Sequence, residues 1–194
     1  MYAAKKFYED IYLSFFQKDN KIYAYLCNDT SQDLHYELTV KFLKFDGTEY
    51  KQGETIKGSI ISDGNKEIYS DDISIKDATE YFIYGEATVT NINGDKFVRD
   101  GTVFPGLYKH CDLADAKISC ELEQKENVFE ITVKADYPAF FVSFDTEGLK
   151  GKFSENMFTL LPNVAKTVIY TPEGEMSVDE LKKGLSIYDL RHTY

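Results

Sequence analysis

The chain has 194 residues, of which 43% are hydrophobic, 28% charged and 15% aromatic, the aromatics being Tyr and Phe with no Trp. That balance is the composition of a folded globular protein and sets disorder aside. A net charge of -11, with no run of Lys or Arg to offset it, argues against nucleic acid as a partner, and no apolar segment approaches the roughly 20 residues of a membrane span.

The length allows one large domain or two of about 95 residues each, and the strand spacing favours two. Residues 1–9 have helical composition, with Ala3 and Phe7, and Ala4 and Tyr8, as i,i+4 pairs. No Ser, Thr, Asp or Asn stands before them as a cap, so the helix is expected to begin upstream. So short a helix is marginal in water unless it packs on something. Tyr2, Phe7 and Tyr8 are therefore the candidate residues for contact with a neighbouring domain, and for weak pairing of two copies where that domain is missing.

Residues 11–16 and 22–26 predict a hairpin around 17–20, with Ile22, Ala24 and Leu26 alternating as a half-buried strand requires. Leu38, Val40 and Phe42 alternate next, ending at Asp46-Gly47. Further strands are expected over 54–61, 67–75, 81–90 and 96–104, with turns at Asp63-Gly64, Lys76-Asp77 and Asn93-Gly94. About seven short strands over a hundred residues are the pattern of an immunoglobulin-like sandwich. Pro105-Gly106 and residues 107–113 break the alternation as a connector, with a boundary near 112.

A second sandwich is expected from there on. Ile118, Cys120 and Leu122 alternate on one strand, and Phe129, Ile131 and Val133 on the next, around a turn at 124–127. Residues 140–144 and 167–170 predict two more strands, with Asp145-Thr146-Glu147-Gly148 as a turn. Between them, 153–162 has apolar residues on neither a helical nor an alternating period, as expected of a connection whose side chains drop between packed sheets. Ser177 and Glu180 have capping-box spacing at the start of a helix over 177–183, with Gly184 as its stop, and 187–190 is expected to close the domain as a strand.

The run Phe153-Ser154-Glu155-Asn156-Met157-Phe158-Thr159-Leu160-Leu161-Pro162 resembles a phrase in the last immunoglobulin-like domain of β-mannosidases of glycoside hydrolase family two. The opening MYAAKKFYEDIYLSF is similar to the chain of those enzymes as it leaves the final barrel helix and enters the next β-domain. Asn163-Val164, in place of a glycine and an acid, and the terminal Tyr188-Asp189-Leu190-Arg191-His192 depart from the family pattern. The resemblance implies an all-β chain of two tandem immunoglobulin-like antiparallel sandwiches: 1–10 as a remnant of the barrel helix, 11–112 as the first sandwich and 113–194 as the second. It further implies a parent that hydrolyses terminal β-D-mannose residues from oligosaccharides with retention and without cofactor. The chain's partners would then be the barrel of the parent and an oligosaccharide.

No residue here matches the paired catalytic glutamates, which in that family lie on the barrel, so the acids are expected to be solvated surface charge and the catalytic set is empty. His35, His110 and His192 have no metal-ligand spacing, Asp145-Thr146-Glu147-Gly148 lacks that of an EF-hand, and no serine stands in a GxSxG context. Cys27, Cys111 and Cys120 lack a CxxC pair and are expected to be reduced, which points to a cytoplasmic setting. Cys27 and Cys120 are expected as small buried hydrophobes, and an exported parent would allow a Cys111–Cys120 disulfide. Tyr23-Ala24-Tyr25 puts two aromatics on one strand face without telling which side is wet, leaving core packing and a sugar platform both open. The alternatives to the β-mannosidase reading are an autonomous carbohydrate-binding or adhesion module, and the same region of a β-galactosidase- or β-glucuronidase-like enzyme.

Overall fold

The computed structural model describes residues 9–193. The helix expected at the N-terminus, with Tyr2, Phe7 and Tyr8, falls on residues 1–8, which lie outside the described residues. Between Asp112 and Leu113 the chain divides into two compact units.

The first unit is built from β1 (Ile11–Lys18), β2 (Lys21–Asn28), β3 (Leu34–Lys44), β4 (Glu49–Ile60), β5 (Gly64–Asp72), β6 (Tyr81–Thr90) and β7 (Lys96–Val103). They form a three-stranded sheet, β1-β2-β5, and a four-stranded sheet, β4-β3-β6-β7. Every pairing is antiparallel. Alternation selects the faces: Ile22, Ala24 and Leu26 of β2 meet Leu38, Val40 and Phe42 of β3 in one buried cluster with Ile83, Ala87 and Val89 of β6. Each fully buried Leu or Ile contributes about 1.5–3 kcal/mol. Gly85 and Gly101 are cross-strand partners on β6 and β7, and Phe15 lies where a Cβ on either would stand, its ring 3.0 Å from the one and its own Cβ 2.7 Å from the other. Glycine at both positions is what lets β1 close over the other sheet.

Both outer hairpins are tighter than their sequences indicate. Lys18 pairs with Lys21, and Lys125 with Val128, so the turns are Asp19-Asn20 and Glu126-Asn127 alone. Asp19 and Glu126 take positive φ, 55° and 52°, to make them. Asn28, wholly buried, organises the following loop: its amide donates to the carbonyls of Gln32 and Ile61, both at 2.8 Å, and its oxygen accepts from the amide and hydroxyl of Thr30.

The second unit holds β8 (Ile118–Lys125), β9 (Val128–Ala135), β10 (Ala139–Thr146), β11 (Gly151–Phe153), β12 (Phe158–Leu160), β13 (Lys166–Pro172), α1 (Val178–Gly184) and β14 (Leu185–Tyr188). The sheets run β11-β13-β9-β8 and β12-β10-β14. Ile131, Val133, Val168 and Tyr170 from the first close on Val142, Phe144, Phe158 and Leu160 from the second. Helix α1 starts in a complete capping box between Ser177 and Glu180 and seats Leu181, wholly buried, in the same core.

Four local expectations need correction. Gly184 does not stop α1 in a left-handed cap; the helix ends at Leu185 in extended conformation, and Gly184 is needed because a Cβ there would meet Leu149 at 2.8 Å. The 153–162 run is not wholly irregular, since Phe158–Leu160 pairs with β10. Strand β14 occupies Leu185–Tyr188, so Asp189 and Leu190 lie beyond its end. Cys120 is exposed and Cys27 only half-buried. Cys120 shares the parity of Ile118 and Leu122, but β8 is the edge of its sheet, where inward-facing side chains are incompletely covered.

Candidate functional site

The outward side of β1-β2-β5 carries Phe16, which is exposed, beside the partly exposed Tyr23 and Tyr25. Tyr23 and Tyr25 alternate with the buried Ile22, Ala24 and Leu26, so both rings leave the core side of β2. Phe16, 37% exposed, pairs directly with Tyr23 across the β1–β2 ladder. Its ring centroid lies 5.6 Å from that of Tyr23 and 6.0 Å from that of Tyr25, at interplanar angles of 22° and 24°. On the other flank β5 places Glu67 opposite Tyr25, and the Tyr25 hydroxyl donates to Glu67 Oε2 at 2.7 Å. That hydrogen bond is the main cause of a raised Tyr25 pKa, burial adding less, so the phenol keeps its proton. Lys21 and Asp72, 3.6 Å apart, edge the same face.

Among the described residues no group of three or more His, Cys, Asp and Glu is positioned to hold a metal. Tyr84, almost wholly buried, directs its hydroxyl at Glu86 Oε2 (3.1 Å) and Asp100 Oδ2 (3.4 Å). Burial first, then those two carboxylates, push its pKa far above the ordinary phenol. One proton shared between two acceptors is a structural clamp. One acid departs from the solvated expectation: Asp189 is 2% exposed, and its Oδ1 accepts from the backbone amide of His192 (3.0 Å) and lies 2.7 Å from His192 Nδ1. His35, His110 and His192 are all exposed, and the three cysteines are free.

The 153–162 phrase serves packing. Phe153, Phe158, Leu160 and Leu161 are all buried. Where β12 ends at Phe158 opposite Val142, the side chain of Asn156 continues the ladder in place of backbone, accepting from Phe144 N–H at 2.8 Å and donating to Phe144 C=O at 3.0 Å. Residues 20–110 match the mannosidase Ig/CBM-like domain, and residues 113–193 match the Ig-fold domain of mannosidases. Both units are mannosidase-type immunoglobulin domains.

Mouse β-mannosidase is 24% identical over the whole of this chain, which spans 22% of that protein's length. The crystal structure of the Dictyoglomus thermophilum β-D-mannosidase superposes on 97% of the chain with a TM-score of 0.81 at 17% identity, again over 22% of its own length. The exo-chitosanase of Amycolatopsis orientalis follows at 0.67 and 18%, covering 97% of this chain and 26% of its own. At such identities the structural likenesses speak for the fold. The pair of domains is thus the immunoglobulin-like region of the β-mannosidase type of glycoside hydrolase family two, and it spans about a fifth of the mannosidases it matches.

The aromatic face of this mannosidase-type pair was half legible in the sequence. Tyr23-Ala24-Tyr25 announced two rings on one side, but their wet side depends on Ala24 packing under the opposite sheet, and Phe16 joins them only through register. Nothing in the spacing of Asn156 or Asp189 marked them as buried.

Proposed function

We propose that the chain is the non-catalytic C-terminal part of a β-mannosidase-like glycoside hydrolase, whose catalytic barrel removes terminal β-D-mannose residues from oligosaccharides with retention. The observation that carries this reading is the pair of mannosidase-type domains in succession, at 20–110 and 113–193, within a chain aligned end to end with part of mouse β-mannosidase. A retaining glycosidase needs two carboxyl groups about 5 to 5.5 Å apart on a rigid frame. The described residues form two sandwiches and one seven-residue helix; among their acids Glu180 caps that helix, Glu86 and Asp100 hold the Tyr84 hydroxyl, and Asp72 pairs with Lys21. In this reading the two domains buttress the barrel, and Tyr2, Phe7 and Tyr8 face it.

The 194-residue chain, repurified to remove any contaminating glycosidase, is expected to leave an aryl β-mannoside intact, whereas the same chain expressed with its upstream coding sequence is expected to hydrolyse it. Turnover by the short chain, or an extended protein that cleaves β-galactosides or β-glucuronides in preference, refutes the proposal.

A further inference from the structure

We propose that β8 is the contact through which two copies of this chain associate, the strand of one copy lying antiparallel to that of the other and centred on Cys120. Strand β8 has β9 on one flank and no strand on the other. The other edge strands of this unit, β11, β12 and β14, run three or four residues. Strand β8 runs eight, pairs with β9 without a shift in register and contains no proline. Ser119, Cys120, Glu121 and Glu123 are all exposed, so this edge is open. A long, regular edge without a bulge or proline is a template for another strand.

Backbone direction and charge together select a second copy as the occupant. The Ala135 carbonyl accepts from Asn163 N–H at 2.8 Å, and Asn163 leads into β13, on the flank of β9 away from β8. Alternation then turns the N–H and C=O of Ile118, Cys120 and Leu122, the partners of Ala135, Val133 and Ile131, to the free edge. The Lys117 amide points the other way, donating to Asp136 Oδ1 at 2.7 Å. Two copies of β8 therefore pair only in registers that set Ile118, Cys120 and Leu122 against one another. Centred on Cys120, the register puts Ile118 opposite Leu122, Lys117 opposite Glu123 and Asp115 opposite Lys125, each twice by symmetry. Centred on Glu121, it opposes Glu121 to itself and Lys117 to Lys125; centred on Leu122, Glu121 to Glu123; centred on Ser119, Glu123 to Asp115. Like charges directly opposite are destabilising, and the Cys120 register alone among the four has none. It also sets Ile118 and Leu122, only partly buried at the border of the core, against each other across the contact. Because each edge meets its own counterpart, the assembly closes at two copies. Two four-stranded sheets become one. The contact rests on β8 and is independent of the mannosidase reading.

A net charge of -11 opposes association at long range, so the test is sedimentation of the intact 194-residue chain in about 0.15 M salt, which screens charges beyond about 8 Å. A dimer that grows with concentration is expected. Lys117→Glu and Glu123→Lys should each weaken it about two- to thirtyfold, since each reverses two cross-strand pairs, and the two together should restore it. Circular dichroism of each variant separates lost association from lost folding. Facing Cys120 residues would stand about 5.5 Å apart at Cα, within disulfide range. Diamide, which takes up the two thiol hydrogens and is reduced to its hydrazine, should therefore join two copies covalently. Burial raises the Cys120 thiol pKa, so the reaction is run at about pH 9. Cys120→Ser should abolish the covalent dimer, while Cys27→Ser and Cys111→Ser leave it. A chain that stays monomeric to about 1 mM, a dimer that both single charge reversals leave unchanged, or a covalent dimer that survives Cys120→Ser overturns the proposal. A dimer that Phe7→Glu dissociates and the β8 variants do not places the contact elsewhere and overturns it too. None of these outcomes touches the mannosidase reading.

Discussion

Replacing Asn156 by Ala tests whether a single side chain stands in for a missing stretch of strand. The amide is 7% exposed and supplies both hydrogen bonds to the backbone of Phe144, itself buried. Truncation orphans one N–H and one C=O, each costing about 1–3 kcal/mol when no replacement partner reaches it. Some water can follow into the gap, so the expected loss is about 2–4 kcal/mol. At a slope of about 1–3 kcal/mol/M in urea, the midpoint of the second unit should fall by roughly 1–3 M. Because two units can unfold separately, amide exchange measured by residue is the decisive assay. The Phe144 amide should lose protection while the amides of β2 and β6 keep theirs. Asn156→Asp should also destabilise, since a carboxylate accepts but cannot donate, and should recover in part at acid pH, where the neutral carboxyl does both. A midpoint within about 0.3 M of the parent, with Phe144 protection unchanged, would refute the account.

Leu160→Ala should cost about 2–5 kcal/mol, because Leu160 is 1% exposed in the core of the second unit; an unchanged urea midpoint and slope would mean that the residue is not packed there. Alkaline titration followed by phenolate absorbance should show a fraction of the 15 tyrosines resisting ionisation. Burial first, and the Tyr50 phenol next, push Tyr81 up to about 12, while Tyr69 and Tyr84 are raised further by burial and neighbouring carboxylates. A raised folded-state value means that this stability is fully present below the unfolded pKa of about 10 and is lost as pH climbs through the folded value. Those phenols should therefore ionise only together with loss of the near-ultraviolet circular dichroism signal, and free reversible titration of all tyrosines near pH 10 would contradict it.

The sequence by itself determined the elements that obey a local rule. Strand alternation put Ile22, Ala24 and Leu26 on one buried face of β2, the spacing of Ser177 and Glu180 foretold their capping box, and the 153–162 phrase foretold side chains dropped between packed sheets. These features depend on neighbours a few residues away, through pleat, helical turn or cap, and one sequence window contains all the information. The tertiary structure alone decided everything that depends on who lies opposite. Cys120 follows the inward parity of its strand yet is exposed, because β8 has a partner on one side only. Asn156 reads as a loop residue and becomes part of a ladder because β12 stops at Phe158, short of Phe144 on β10. Phe16, Tyr23 and Tyr25 meet because register sets Phe16 against Tyr23, and they face outward because Ala24 is buried between the sheets. Local periodicity sets which side chains share a face, but only the packing of one sheet on another determines which face is left in water.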